Sequence, residues 1–464
     1  MSNEVTRRLT RFLDNPLEQT GFRSLERLEL TRRLGSIEHH TGVGVTNSIT
    51  ECVKIYDINR SQYLGGSFDG AYYYCYFGFE GNKRKHHDWD PLHKAGLQDI
   101  HIRKDPTFEW LVSTTKIIGE VFKVVNYGKE FEHLFSVAKE MKESGEADIS
   151  FKTPELFSET RFANHARKVY VSFREDFPAI IRTLEEVQLE NMEGNSDDRK
   201  KATHASDLLD KILNTRFTVR LSGLCDIYEV FGHGVNILQT VDMLPHDKFD
   251  RFHSVVIGKF NSMTASLDHA TCISSYGSKC QWPTLHRDLE EIKTIGSYRG
   301  IPMAQSYGEE INTRMGERRA ARNARDEQQG IVIIVKAQQD LQKLVQRMYE
   351  CLHNKVYHEG DKSMLKTLRP IIDLSSLALK VKQKSAAHVL ALDGEQFTKV
   401  SKQLATNIDD VPDSEIRIQF REFIRRLDVA QLNEEDLCSI KLIKVFLETE
   451  RKLYVDIEMV MHVI

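Results

Sequence analysis

No stretch of this chain is apolar for long enough to cross a bilayer as a helix. The longest aliphatic run, Ile331 to Val335, falls far short of the roughly 20 residues a span requires. Cysteine is scarce, with seven in 464 residues. The odd number, without framework spacing, predicts free thiols in a reducing compartment, nuclear or cytosolic. A charged-then-apolar leader is also missing from the first residues. No charge of one sign dominates: Lys and Arg total 64 against 68 Asp and Glu, a formal net charge of −4. Bulk attraction to a polyanion is therefore absent, and any nucleic-acid contact must come from local patches. Gly65-Gly66 is too short for a Walker or dinucleotide loop, and no Gly-x-Ser-x-Gly elbow occurs. No cysteine stands in an activating context either. These absences argue against an ATP-driven, redox or acyl-transfer enzyme and against a nucleotide cofactor. A fixed-period repeat is likewise missing, which argues against a solenoid.

What the chain does contain is long helical patterning behind a short mixed segment. Its length has room for two or three domains with sizeable cores. Residues 1–50 read as a helical or disordered leader. Residues 51–150 read as an α/β segment, with strands expected over Gln62–Phe68 and His86–Asp90. Residues 151–464 read as an all-α region, so the fold class expected is mostly α with a small, incomplete α/β part. Phe162, Ala166, Val169 and Phe173 recur every three or four residues, the stripe of an amphipathic helix. Ser158 is suited to cap that helix, and Phe177-Pro178 to end it before a second helix carries Ile180, Ile181, Leu184 and Val187 inward. Asn191 to Arg199 reads as a polar loop. Ala205 to Leu244 reads as helices punctuated by Gly223, Gly232 and Gly234, and Asp268 to Pro302 as the least regular stretch.

Three stations in the first half carry chemistry. Gln62 to Ala71 reads as a short buried strand that delivers Asp69 to its end, followed by a helix opened by Gly70. A carboxylate at a sheet's lip suits a hard divalent cation, which takes oxygen donors from a rigid edge. Trp89-Asp90-Pro91-Leu92-His93 comes next, then Ser158-Glu159-Thr160-Arg161-Phe162-Ala163-Asn164. In this order the stations resemble the middle of a hAT-type transposase, an RNase H-like nuclease core interrupted by a helical insertion. The resemblance implies that Asp69-Gly70-Ala71 corresponds to the family's second catalytic carboxylate and makes Asp69 a candidate catalytic and metal residue. It also implies that Asp90 and His93 stand where the family has a Cys-x-x-His element, with Asp replacing Cys, so that Asp90 buttresses His93 near the site. Thr160-Arg161-Phe162 matches a Thr-Arg-Trp-like helix start. The family's first carboxylate finds no counterpart in residues 1–60, and its last one is expected beyond Ile464. An incomplete centre predicts a catalytically silent protein, with Mg²⁺ bound only if the nuclease centre is complete.

Other groupings carry less. His86, His87, Asp88, Asp90 and His93 are dense in ligand types, but a strand sends alternate residues to opposite faces, so a solvated turn is expected. His269, Cys272, Cys280 and His286 lack the spacing of a zinc finger. Arg314, Arg318, Arg322 and Arg325 fall four, four and three apart, one guanidinium stripe on a helix, with Arg319 beside it. They are the candidate phosphate contacts; a merely solvated helix face is the competing interpretation. The expected partners are therefore DNA or protein chains, including a second copy through the helical region, and no membrane. The alternative function is a helical protein-interaction scaffold with no nucleic-acid role.

Overall fold

The computed structural model describes residues 65–68, 86–89, 91–125, 129–157, 163–240, 245–265, 280–303, 319–357 and 374–384, with isolated positions between 398 and 425. Among the described residues the protein is mostly helical, with two small two-stranded sheets. Strands β1 (Gly65–Phe68) and β2 (His86–Trp89) pair in parallel, Gly65 opposite His86 and Phe68 opposite Trp89. Parallel neighbours need a connection of about a dozen residues or more, which residues 69–85 supply. Both strands lie within the segments where strands are expected. Helix α1 (Pro91–Lys104) follows at once, with proline in the first turn, where its missing N–H breaks no helical bond.

The chain divides into two compact units, one drawn from residues 95–237 and 252–353, the other from 1–94, 238–251 and 354–464. The first is a helical array. A 3-10 turn, Pro106–Phe108, is capped by Asp105, whose carboxylate accepts the Thr107 N–H at 3.0 Å, and leads into α2 (Glu109–Val125). That helix buries Leu111, Thr114, Thr115, Ile118, Val121, Phe122 and Val125, a stripe at intervals of three and four that marks one apolar face. Helix α3 (Lys129–Glu143) and a segment without regular secondary structure, residues 147–157, precede α4 (Ala163–Glu175). Helix α5 (Phe177–Met192) begins two residues after α4 ends and takes Pro178 into its first turn, as the sequence pattern requires. The residues expected to open α4, Ser158 to Phe162, lie outside the described residues.

The polar stretch from Asn191 is not the long loop expected. Helix α5 runs to Met192, and α6 (Ser196–Ile212) starts four residues later behind a reciprocal cap. Asn195 accepts the Asp197 and Asp198 amides at 2.8 and 3.1 Å, while Asp198 accepts the Asn195 amide at 3.2 Å. Polar residues that look like loop are thus the start signal of a helix. The same correction applies to α7 (Thr215–Gln239), 25 residues without a break through Gly223, Gly232 and Gly234. Its glycines serve contact rather than flexibility. A Cβ on Gly223 would stand 2.2 Å from Leu341 Cδ1, and one on Gly234 would stand 2.8 Å from the Phe252 ring.

Helices α8 (Pro245–Phe252) and α9 (Gly258–Ala265) are joined by a π-helical turn, His253–Ile257. The region from Asp268, expected to be irregular, contains α10 (Pro283–Ile295) and a hairpin of β3 (Ser297–Tyr298) with β4 (Ile301–Pro302). Gly296 ends α10 in the left-handed conformation, φ 72°. The hairpin turns on Arg299 and Gly300, both at positive φ, which matches the twist of two-residue hairpin loops. A non-glycine residue at positive φ is strained. Arg299 is held there by its guanidinium, which donates to the Asp148 and Glu175 carbonyls at 2.9 and 3.4 Å and to the Glu175 carboxylate at 3.3 Å. Helix α11 (Arg319–Cys351) follows, 33 residues long, and passes through a π-helical turn, Leu352–Tyr357; α12 (Leu374–Lys384) lies further on. No helix among the described residues is long and apolar enough to cross a membrane.

The core of this array is aromatic. Phe173 lies 5.4 Å from Phe122, 5.9 Å from Phe217 and 6.2 Å from Phe177, ring centre to ring centre, and Phe177 meets Tyr298 edge-on at 4.9 Å. Such tilted and edge-on pairs add about 0.5–1.5 kcal/mol each to area burial. Helix α11 contributes Ile334, Ala337, Leu341, Leu344, Val345 and Met348, all buried. The Gly223–Leu341 contact makes a direct prediction. Gly223→Ala gains helix propensity of about 1 kcal/mol, yet should still destabilise, because the added methyl overlaps Leu341 and overpacking costs about 1–3 kcal/mol. Urea unfolding of Gly223→Ala, Leu341→Ala and the double variant should show a double loss well below the sum of the singles.

Candidate nucleic-acid interface

The structure separates the predicted site residues. Asp69, Asp90, Arg314 and Arg318 lie outside the described residues, as do Thr160, Arg161, His269 and Cys272. His93 sits in the first turn of α1, partly exposed, as expected of a helix N-terminal histidine. Cys280 is a partly exposed free thiol and His286 lies in α10. Among the described residues no group of three His, Cys, Asp or Glu side chains is placed to hold a metal ion. The carboxylate through which the resemblance implies Mg²⁺ binding, Asp69, is outside the described residues, so no catalytic step is assigned to it. Arg322 and Arg325 fall within α11.

Two buried polar networks stand out inside the helical array, and both are closed. Arg103 donates from Nε to Asp99 at 3.0 Å, from Nη1 to Thr115 at 3.1 Å, and from Nη2 to the Tyr170 and Tyr228 hydroxyls at 3.1 and 2.6 Å. The Tyr228 hydroxyl donates to Asp99 at 2.5 Å, and the guanidinium lies 4.4 Å from the Phe157 ring centre. Burial disfavours the arginine's charge, but Asp99 and the two tyrosines outweigh it and hold the pKa well above the usual value. Arg174 grips Asp288 through Nε at 2.7 Å and Nη2 at 2.5 Å, and reaches Glu175 at 2.7 Å. Ser222 donates to the same Asp288 at 2.6 Å. Burial pushes the neighbouring Cys225 thiol and Tyr298 hydroxyl well up, leaving both protonated and unreactive. A guanidinium this fully engaged has nothing left to offer a ligand; these networks are architecture.

Two buried aspartates complete the electrostatic picture. Asp226 of α7 accepts the Thr284 and Leu285 amides at 3.1 and 2.9 Å, capping α10 from another helix because Trp282, at the cap position, offers no acceptor. Burial nevertheless outweighs those bonds and raises its pKa to about 6. Asp176 accepts the Lys152 amide with both oxygens, at 3.2 and 3.3 Å, and burial raises its pKa to about 7.

The open chemistry lies on α11. Its buried face is the row Ile334, Ala337, Leu341, Leu344, Val345 and Met348. The opposite face exposes Lys336, Gln339, Lys343, Gln346 and Arg347. Eighteen residues make about five helical turns, so on α11 position 343 falls in line with 325. Arg325 and these later cations therefore share one helical line. Sequence reading ended the row at Arg325 because the next ten residues contain no cation. The five-turn spacing was the signal available to extend it. Among the described residues neither Lys336 nor Lys343 has an ion-pair partner; Arg347 stands 3.8 Å from Glu350. Beside this ridge runs an open groove of about 610 Å³, lined by Gln339, Gln342, Lys343, Gln346, Arg347 and Glu350 on one side and by Asp105, Thr107, Phe108 and Thr264 on the other. Cations interleaved with amide side chains supply the donors that phosphate and sugar oxygens accept.

Comparison with protein-family models, curated proteins and solved structures finds no match to this chain.

The buried aspartates predict a pH dependence. The folded protein holds the Asp176 proton up to about pH 7, whereas the free side chain releases it near 3.8. The folded state therefore binds more protons in that interval, and stability falls as pH rises through it. Asp226 acts in the same direction up to about pH 6. In Asp176→Asn, urea midpoints measured between pH 5 and 8 should lose the part of this decline above pH 6. An unchanged decline would mean that Asp176 stays ionised throughout.

Proposed function

We propose that this chain is a non-catalytic helical protein that binds the phosphate backbone of duplex DNA along the exposed ridge of α11. The observation that carries this is the continuity of α11. Arg322 and Arg325 belong to the same unbroken helix as the exposed Lys336, Lys343 and Arg347. From position 322 to 347 the helix rises about 37 Å, comparable to about eleven base-pair steps. The acids of this helix offset the row only in part: Asp340 is engaged by Arg220, Asp326 and Glu327 occupy other helical positions, and Glu350 stands 3.8 Å from Arg347. A chain with net charge −4 can still present such a row, because phosphate contacts depend on local charge.

This reading is compatible with descent from a hAT-type transposase. In support, β1 ends one residue before Asp69 and pairs in parallel with β2, the pairing an RNase H-like α/β segment would use. A second reading, a protein-interaction scaffold, is favoured by a different observation. Leu189, Met192 and Phe135 are 68%, 56% and 50% exposed on α5 and α3, more than large apolar side chains need to be.

Salt dependence separates the two. Five phosphate contacts on α11 contribute about −4.5 to the slope of log K against log salt for duplex DNA. In the Lys336→Gln, Lys343→Gln, Arg347→Gln triple variant the slope should flatten by about 2.7, with the fold intact by circular dichroism. No measurable DNA binding, or a triple variant indistinguishable from wild type, removes the DNA reading and leaves the scaffold.

A further inference from the structure

The ridge of α11 has a neighbour on α7. Arg220 donates from Nη2 to Asp340 at 2.5 Å, and its guanidinium stacks over the Trp110 ring, 4.8 Å from the ring centre. Its Nε is buried and has no partner. Arg216 lies one turn earlier on α7 and is partly exposed. On α11, Asp340 sits four residues after Lys336 and three before Lys343, so both lysines flank it on the same face. Asp340 is thus a single carboxylate set among cations from two helices, satisfying a guanidinium by one Nη group alone.

We infer that the DNA-contacting surface is two helices wide, with Arg216 and Arg220 of α7 extending the α11 row, and that the Asp340 carboxylate occupies the seat a backbone phosphate would take on Arg220. This rests on the DNA reading and specifies the site within it. Arginine suits the seat because its planar fork matches a phosphate as well as a carboxylate. The Arg220–Asp340 pair is the less committed of the buried arginine pairs. Arg174 holds Asp288 through two nitrogens, whereas Arg220 holds Asp340 through one, with Asp340 26% exposed. Burial together with the adjacent Arg216 charge lowers the Arg220 pKa, so the guanidinium lacks the full negative counterweight its surroundings call for. Trp110 holds the guanidinium plane in place while the anion changes. A duplex approaching the ridge would bring phosphate oxygens to Arg220 and displace the weaker, intramolecular anion. Asp340 accordingly lowers affinity and discourages polyanions that cannot reach both helices at once.

The test uses the full chain and a fluorescent duplex of about 20 base pairs, with anisotropy titrations from about 50 to 200 mM salt. Asp340→Asn should bind about threefold more tightly at low salt and steepen the slope by about one. Arg216→Gln should flatten it by about one. Thermal unfolding by circular dichroism checks each variant; if Asp340→Asn fails to fold cooperatively, Arg216→Gln decides alone. If wild-type slopes persist in Arg216→Gln and in folded Asp340→Asn, while the Lys336, Lys343, Arg347 triple variant flattens, the surface is one helix wide and the inference falls, leaving the α11 reading intact. If the triple variant also matches wild type, the α11 reading itself is wrong.

Discussion

Leu341 of α11 rests on the bare backbone of Gly223 in α7, and that close approach is the constraint under which the two helices meet. A side chain at position 223 would have to displace Leu341, which shares a buried row with Leu344, Val345 and Met348 and lies next to the Asp340 that Arg220 holds. Helix α7 is the common wall. Along its length it presents Arg220 to α11, Ser222 to Asp288, Asp226 to the start of α10 and Tyr228 to Arg103. A helix that makes so many polar contacts inside a core cannot be amphipathic in the usual sense. Its residues are buried on nearly every side from Thr215 to Phe231.

The buried charges follow one rule. A guanidinium removed from water must find several acceptors together, because each unpaired donor costs about 1–3 kcal/mol. Arg103 and Arg174 obey it with acceptors drawn from helices far apart in sequence. Neither pair need add net stability over an apolar replacement. What they define is the mutual rotation of the helices they join, since a fork with fixed geometry tolerates little sliding. Arg220, whose Nε is buried without a hydrogen-bond partner, departs from this rule, as do the Nε atoms of Arg216 and Arg299, and Arg220 stands next to the exposed cationic ridge rather than in the core.

Much of the fold was legible in the sequence where a single helix decides its own fate. The stripe ending at Phe173, the break at Phe177-Pro178 and the strands at 65–68 and 86–89 all follow from periodicity and proline. Errors arose where the deciding partner is remote. Gly223 looks like a helix break until Leu341 is seen against it, and Gly234 until Phe252 is. Asn191 to Arg199 looks like a loop because cap residues and loop residues are the same amino acids; only the reciprocal bonds of Asn195 and Asp198 tell them apart. The cationic row was half legible. Its spacing up to Arg325 is plain, but its continuation at Lys336, Lys343 and Arg347 becomes visible only when one helix is known to carry them all. The acidic stations that prompted the transposase resemblance, Asp69 and Asp90, belong to residues the structure does not describe.

Helix α10 illustrates how far such remote dependence extends. Its first two free amides are answered by Asp226, 58 and 59 residues upstream, while Trp282 at its own threshold brings only bulk. The instruction to begin this helix is therefore not encoded beside it. A peptide cut to span residues 280–303 would retain every local propensity and a good glycine stop at Gly296, yet lack the anion that opens it. As the nascent chain lengthens, α7 emerges first and carries that anion. α10 is in this sense templated: it acquires its beginning by docking, and secondary and tertiary structure form there in a single event.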